Sequence, residues 1–228
     1  MVVVSPSRAL RAKISLVSAP LHTAALAFWN HPRLAQIYPQ YLFHNHAIVR
    51  ASVPLMKAAL DRALTFSKSD PVAGRLADYL SQHIPEETNH DDWLLDDLAV
   101  LGMDRTELLK RMPPPAVATL VGSQYYWIFH FHPVALLGYI AVLEGTPPDI
   151  EHVKSAATRS GVPIEAFSTM LKHSRLDPYH RDDLDRTLDG LPLTPGHSAL
   201  LGVSAFHTVH WLSRVIEDAI REPELPVA

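Results

Sequence analysis

Cysteine is absent from this chain of 228 residues. Its absence excludes disulfide bonds, thiolate metal ligands and a cysteine nucleophile, so nitrogen and oxygen atoms must hold any bound metal. Charge is also sparse, since 19% of the residues are charged and the formal net charge is −4. This balance gives no electrostatic reason to expect nucleic acid or an anionic membrane as a partner.

Long uninterrupted apolar runs are missing as well. A membrane-spanning helix needs roughly 20 apolar residues, and even the stretch 118–143 contains Gln124, His130 and His132. The short valine run at 2–4 has no basic residue before it, which is a poor match to a signal peptide. We therefore expect a soluble, cytoplasmic protein without a membrane partner.

Helical periodicity runs through almost every long segment, and segments with strict strand alternation are missing. The sequence predicts an all-α fold with a single domain over 1–228, because no repeat or Gly/Ser linker divides the chain. Prolines mark most of the joints, but Pro54 and Pro133 fall inside long segments that we expect them to kink. The predicted helices span 20–38, 40–67, 72–84, 86–101, 115–144, 149–159, 163–175, 178–190 and 196–221.

The start of one predicted helix combines acidic residues with a histidine. Glu87 and His90 are three residues apart and share a helix face with Leu94 and Leu98, so both should point toward the core. We predict that Glu87 and His90 bind a metal, with Glu86 as the substitute if the register shifts by one residue. The alternative is that the acidic residues only favour the helix N-terminus electrostatically.

Glu144 lies at the end of an apolar segment, on one face with Leu137, Ile140 and Ala141. A carboxylate on an apolar stripe needs a cation, a proton or a metal, because an unpaired buried charge costs several kcal/mol. We therefore predict Glu144 as a further ligand. The alternative is an acidic residue at a fraying helix end before Gly145.

A third segment places two histidines and an aspartate at helical spacing. On a continuous helix, His173, Asp177 and His180 lie within roughly 60° of one another. At Pro178, either the helix bends or a new helix starts with Asp177 as its N-cap. Three carboxylates and three imidazoles together suit two ions of iron or manganese better than zinc. Helical bundles build diiron cores from such inward-facing residues.

Three runs resemble the heme-oxygenase-like diiron oxidases and oxygenases, often called iron-containing redox enzymes: 86–98, 132–145 and the histidine and aspartate positions within 173–180. The similarity covers roughly residues 20–220. It implies a single-domain bundle of about seven core helices with heme-oxygenase topology, two iron ions and O2 as co-substrate. The six ligands of the family correspond here to Glu87, His90, Glu144, His173, Asp177 and His180.

The resemblance also implies an activity. A non-heme diiron enzyme of this family oxidises a small organic substrate such as an amino acid, an amine or a fatty acid, by N-oxygenation, oxidative C–C cleavage or desaturation. An external electron donor and a homodimer are further expectations. Two rivals stay open: a metal-free oxidase or hydrolase on the same fold, and a non-enzymatic helical protein that binds heme or a partner.

Candidate substrate contacts come from the long predicted helices. His44 and His130 have aromatic neighbours and are candidates for a pocket wall, together with Tyr126. Structural histidines with satisfied hydrogen bonds are the alternative. Arg50 is a candidate to bind a substrate carboxylate through a bidentate contact, and a surface arginine is the alternative.

Overall fold

A computed structural model of the chain describes residues 4–221. Within this range the secondary structure consists of helices without strands, so the all-α prediction is confirmed. Two short 3-10 turns, Pro133–Ala135 and Ile164–Phe167, precede α8 and α10. The α-helices are α1 Pro6–Val17, α2 Ala19–Trp29, α3 Leu34–Leu64, α4 Pro71–Glu87, α5 His90–Val100, α6 Arg105–Lys110, α7 Pro115–His130, α8 Leu136–Leu143, α9 Ile150–Ser160, α10 Ser168–Gly190 and α11 Pro195–Arg221.

Several predicted helices are confirmed, but the boundary around Pro39 is wrong. The sequence predicts a break at Pro39, whereas the chain breaks at residues 30–33 and Pro39 lies inside α3. Pro39 is the sixth residue of α3, beyond the first turn in which N–H groups lack intrahelical partners, so it removes one backbone hydrogen bond from the helix. The adjacent Tyr38 and Leu42 are buried, and this packing stabilises the helix across the proline.

Two further prolines have opposite outcomes. The predicted helix 115–144 is divided at Pro133, because α7 ends before it and α8 begins after it. Pro178 instead lies inside the continuous helix α10. The alternative of an N-cap at Asp177 is therefore wrong. Asp177 and Leu184 are buried on either side of Pro178, so packing offsets the lost backbone hydrogen bond.

Helices α1 and α6 are absent from the helices predicted from the sequence. Helix α1 has no acidic first turn or basic last turn to mark its ends. It is anchored by distant partners instead: the Ser7 N–H donates to Asp189 at 2.8 Å, and Arg11 pairs with Asp185 at 2.8 Å. Such tertiary contacts have no local sequence signature, which explains the omission.

Buried apolar residues form two clusters. The larger one joins the second half of α3 with α4, α7, α8 and α11, and the smaller one joins α2, the first half of α3, α5 and α9. Gly138 lets α8 pack tightly against α11, since a Cβ there would lie 2.4 Å from the carbonyl oxygen of Leu201. This close contact fixes α8, whose last turn precedes Glu144. None of the described helices is long and apolar enough to cross a membrane.

Candidate metal centre

The first two predicted ligands lie on either side of a helix break. Glu87 is the last residue of α4 and His90 is the first of α5, so they do not share one helix as predicted. Asn89 turns the chain between them with a φ of 70°, a conformation that asparagine tolerates. The turn still brings the pair together, because Glu87 Oε2 lies 3.2 Å from His90 Nδ1.

Helix α10 supplies three more of the predicted ligands. The spacing of His173, Asp177 and His180 places them on one side of this helix, and His173 Nδ1 donates to Asp177 Oδ1 at 2.8 Å. His180 Nδ1 lies 3.2 Å from Glu87 Oε1. The rings of His90 and His173 meet edge to face, with centroids 5.2 Å apart. The helix therefore closes over the α4–α5 break.

Glu144 follows the last residue of α8. It is linked to the other predicted ligands by His83, which was not predicted as a site residue. His83 Nε2 donates to Glu144 Oε1 at 3.0 Å, and His83 Nδ1 lies 3.4 Å from Glu86 Oε2. The His83 ring is also 5.0 Å from the ring of His180. The structure thus brings all six predicted ligands into one region and adds His83 and Glu86 at its edge.

Helical spacing contained a signal for His83. This residue lies four positions before Glu87, which is one turn of a continuous helix. The sequence analysis ends the helix at residue 84, whereas α4 continues to Glu87 through Pro85. Glu86, the predicted substitute ligand, has a side chain that is 56% exposed, against 9% for Glu87. The geometry therefore favours Glu87 over Glu86 as the inner carboxylate.

Proton affinities in the group reflect burial and mutual pairing. Burial raises the pKa of Glu144, although the His83 hydrogen bond opposes this shift. Burial lowers the pKa of His83, but the hydrogen bond and charge of Glu144 outweigh it and raise that pKa to about 9. The pKa of Glu87 is lowered, because the adjacent His90 outweighs the cost of burial. The neighbours thus favour the charged forms of His83 and Glu87, whereas burial favours the neutral form of Glu144.

The pairing leaves several ligand atoms without a full hydrogen bond. Among the described ligand residues, Glu144 Oε2 is buried without a partner, and Glu87 Oε1, His90 Nδ1 and His180 Nδ1 lie in carboxylate–imidazole contacts of 3.2 Å that lack hydrogen-bond geometry. Such atoms are costly to bury unless something binds them. Two carboxylate oxygens and two imidazole nitrogens are donors that iron and manganese accept. The residues present therefore fit a metal.

A cavity of about 700 Å³ extends from this group. Glu87, Glu144, His173 and Asp177 line one end of it. The rest of the wall is mainly apolar and comes from both hydrophobic clusters, with Leu42, Ile48, Met56, Leu94, Leu136, Tyr139, Ile140 and Val215 among its residues. The volume falls within the usual range for small-molecule sites.

The four residues predicted from sequence to contact substrate do not line this cavity. His44 is fully buried and bonds within the core, with its ring nitrogens 2.7 Å from Gln40 and 3.1 Å from the Val215 carbonyl oxygen. Tyr126 is 63% exposed and its ring lies 4.7 Å from that of His130. Arg50 is also exposed. We therefore do not carry these four assignments further.

A second group of metal-type residues lies elsewhere. Ligand atoms of Asp70, His132 and His197 come within 4.8 Å of one another. His132 Nδ1 accepts the Val134 N–H at 3.0 Å, so the ring proton of neutral His132 is on Nε2, which donates to Asp70 Oδ2 at 3.1 Å. A metal at Nε2 would require that proton to leave. This group is better explained as a structural hydrogen-bond network.

Comparisons with known proteins identify the family and the fold. A family model described as iron-containing redox enzyme matches residues 39–195. No curated protein matches the chain. Among solved structures, a domain of unknown function with a heme oxygenase-like fold from Shewanella denitrificans OS217 superposes with a TM-score of 0.75 and 20% identity, covering 92% of this chain and 87% of that one.

Two other structures show the same fold at lower identity. A TenA homologue from Pseudomonas syringae pv. tomato DC3000 superposes with a TM-score of 0.68 and 16% identity, over 93% of this chain and 91% of that one. A CADD-like protein of unknown function from Nostoc punctiforme PCC 73102 gives 0.64 and 16%, over 92% and 98%. The predicted heme-oxygenase-like fold is confirmed, and the chain belongs to the iron-containing redox enzyme family.

Proposed function

We propose that this protein is a non-heme diiron enzyme that uses O2 to oxidise a chiefly apolar organic acid. The observation that carries the proposal is the convergence of largely buried carboxylates and imidazoles from α4, α5, α10 and the end of α8 beside a cavity that Glu87, Glu144, His173 and Asp177 line. The six residues that would hold the metals are Glu87, His90, Glu144, His173, Asp177 and His180.

The protein supplies position, charge and a dry environment. When bound, a reduced iron pair supplies electrons and open positions for O2. Complete reduction of O2 to two waters takes four electrons, of which two come from the substrate and two from an external donor. Glu87 and Asp177 are less than a tenth exposed, so the ligand group is largely shielded from bulk water.

His83 has a positioning role in this proposal. Its Nε2–H occupies Glu144 Oε1 and leaves Glu144 Oε2 without a partner in the described structure. A carboxylate held in this way presents one oxygen in a fixed direction. Tyr79 stacks on the other side of the His83 ring, with centroids 5.1 Å apart, and keeps the imidazole in place.

The cavity wall indicates the substrate class. Arg11 is the one arginine or lysine in the wall, and its guanidinium is already occupied: it donates to the Ala141 carbonyl oxygen at 2.7 Å and to Asp185 at 2.8 Å. The wall therefore has no unoccupied arginine or lysine for a substrate carboxylate. An elongated apolar chain fits the apolar wall, and its acidic head must be bound at the metals.

The charge of the metal site also supports binding of the substrate with its acidic head at the metals. Three carboxylates among the six ligands contribute −3, and two ferrous ions contribute +4, so the filled site carries a charge of about +1. A carboxylate head is attracted to this end of the cavity, whereas an ammonium head is repelled. A free amino acid would also bring two charged groups into a mainly apolar wall, at a cost of several kcal/mol.

The test is turnover by the iron-loaded protein. Full-length chain is loaded anaerobically with Fe(II), exposed to O2 and a chemical reductant, and offered saturated long-chain acids, the matching amines and free amino acids. We expect O2 consumption and a mass change for the acids alone, both abolished in His180→Ala. Turnover of amino acids but not long-chain acids would refute the substrate class, and O2-independent turnover without iron would refute the diiron enzyme.

A further inference from the structure

One surface of the molecule is depleted of charge. No aspartate, glutamate, lysine or arginine occurs in 112–143 or in 190–213, although such residues make up 19% of the chain. Helix α7 and the first two-thirds of α11 fall in these two stretches. Their solvent side therefore has no formal charge when its histidines are neutral.

The two helices run antiparallel. The rings of His132, just after α7, and His197, near the start of α11, lie 4.6 Å apart. Farther along, the hydroxyl oxygen of Ser123 lies 3.2 Å from His207 Nδ1. Residue numbers therefore fall along α7 as they rise along α11. In this arrangement corresponding sides of the two helices face the same direction.

Burial identifies which side faces outward. Ser204 donates to Gln124 at 3.1 Å, and both side chains are fully buried beneath the helix pair. On the opposite side, the exposed apolar residues form what we call the α7–α11 face: Tyr126 (63% exposed), Phe129 (51%), Phe131 (65%), Val203 (51%) and Phe206 (39%). A group of this size differs from the scattered exposed apolar residues that are normal on a protein surface.

We propose that a second copy of this chain covers the α7–α11 face in a symmetric homodimer. In a two-fold dimer the same patch occurs on both partners, so charges near the axis meet charges of the same sign. A patch without formal charge avoids this repulsion. An unrelated partner with a complementary charged surface would instead favour charge on this face. This inference is independent of the proposed function.

The composition and the area of the α7–α11 face agree with a second copy of the chain as its partner. Interface cores are rich in tyrosine, phenylalanine and tryptophan and poor in lysine, glutamate and aspartate. Four roughly half-exposed aromatic side chains supply on the order of 400 Å², about half of what each partner contributes to a standard interface. Lys13, whose ammonium donates to the Ser198 carbonyl oxygen at 3.0 Å, gives this face a polar rim beside α11.

A lipid surface is a weaker match for the same residues. Peripheral binding to anionic membranes relies on lysine and arginine next to the apolar residues. Residues 112–143 and 190–213 contain neither. The aromatic face therefore has no electrostatic attraction to such a membrane, and a neutral bilayer is the remaining lipid alternative.

The test is the mass of the full chain in solution. Sedimentation equilibrium of the wild type at about 10 µM should give twice the chain mass of 25.3 kDa. The double variant Phe129→Asp, Phe206→Asp places like charges on both copies and should weaken dimerisation by about 100-fold or more. Leu64→Asp is the matched control, because Leu64 is 56% exposed and lies at the end of α3.

Circular dichroism and Fe(II) binding should be unchanged in both variants, which separates a lost interface from a lost fold. A wild type that stays at the monomer mass up to about 100 µM would overturn the proposal. Dimers that persist in the double variant, or that disappear equally in Leu64→Asp, would also overturn it. Binding of a monomeric wild type to phosphatidylcholine vesicles would assign the face to lipid instead.

Discussion

Among the described residues, three sets of carboxylates and imidazoles come within ligand distance. Two of them share His83 and belong to the candidate metal centre, and they differ from the third, formed by Asp70, His132 and His197, in what their polar atoms already bind. In the group of Asp70, His132 and His197, hydrogen bonds account for the inner atoms. Asp70 Oδ1 accepts from the N–H groups of Val72 and Ala73, and its Oδ2 accepts from His132. This group joins the start of α4 to the turn after α7.

The candidate metal centre has the same residue types, but several of its polar atoms lack a hydrogen bond. Glu144 Oε2 is buried without a partner in the described structure, and Glu87 Oε1, His90 Nδ1 and His180 Nδ1 lie in carboxylate–imidazole contacts of 3.2 Å without hydrogen-bond geometry. Proximity of metal-type residues therefore does not by itself define a metal site. Lone pairs that remain available after the protein's own hydrogen bonds are counted are the better criterion.

The largest expected difference is in iron binding. His180→Ala removes an inner nitrogen and should weaken Fe(II) binding by more than about 100-fold, because the metal loses a direct ligand. His132→Ala, in the other group, should leave Fe(II) binding within about 2-fold of the wild type. Anaerobic Fe(II) titration with parallel circular dichroism measures both. Equal loss of iron in the two variants would remove the distinction between the groups.

A smaller effect is expected from the residue that positions Glu144. His83→Ala should weaken Fe(II) binding by about 10- to 100-fold, since it frees Glu144 Oε1 from its hydrogen bond. His83→Gln keeps a donor and should recover part of that loss. The control is Glu151→Ala, which removes a carboxylate that is 80% exposed and lies on α9, and it should leave Fe(II) binding unchanged. Wild-type affinity in His83→Ala would contradict the positioning role.

A change in the Asp70 group should lower the stability of the fold and leave iron binding unchanged. Asp70→Ala removes the side-chain cap of α4 and the acceptor for His132, so we expect the free energy of unfolding to fall by about 1–2 kcal/mol. Urea denaturation of the metal-free protein measures this change. Fe(II) affinity should stay unchanged, and an intact unfolding free energy would show that the Asp70 group does not stabilise the fold.

The last expected effect is a pH dependence of the metal-free protein. The pKa of His83 is about 9 in the fold, above its ordinary value near 6.5, so its contribution to stability is complete below about pH 6.5 and is lost as the pH rises through about 9. Thermal melting between about pH 6 and 10 should show this decline. The decline should be weaker in His83→Gln, and an identical profile in both proteins would contradict the assignment.

Local patterns predicted most of the fold. Periodicity located α9 and α11 and most of the long helices, because each has an apolar stripe visible in the sequence. The boundaries failed where tertiary packing overrides a local rule: α3 continues through Pro39 and α10 through Pro178. Helix α1 was missed since its anchors, Asp185 and Asp189, lie more than 170 positions away.

The candidate site was predicted in part for a similar reason. The spacing of His173, Asp177 and His180 is a helical pattern that α10 retains, whereas Glu87 and His90, predicted from a shared helix face, lie on either side of a helix break. His83 was missed because the predicted helix ended at residue 84, which hid its spacing of one turn from Glu87, and because its partner Glu144 is 61 positions away. The cavity wall is assembled from several helices, so its residues have no common motif. Pairings that form only in three dimensions were therefore beyond sequence reasoning.

The most direct test of the central claim is X-ray absorption at the iron edge of full-length protein loaded anaerobically with Fe(II), combined with metal analysis. We predict two irons per chain, a shell of oxygen and nitrogen ligands, and an iron–iron distance of about 3.5–4 Å. Both irons should be absent from Glu87→Ala. A single isolated iron, or iron that is retained in full by Glu87→Ala, would contradict a diiron centre at this site.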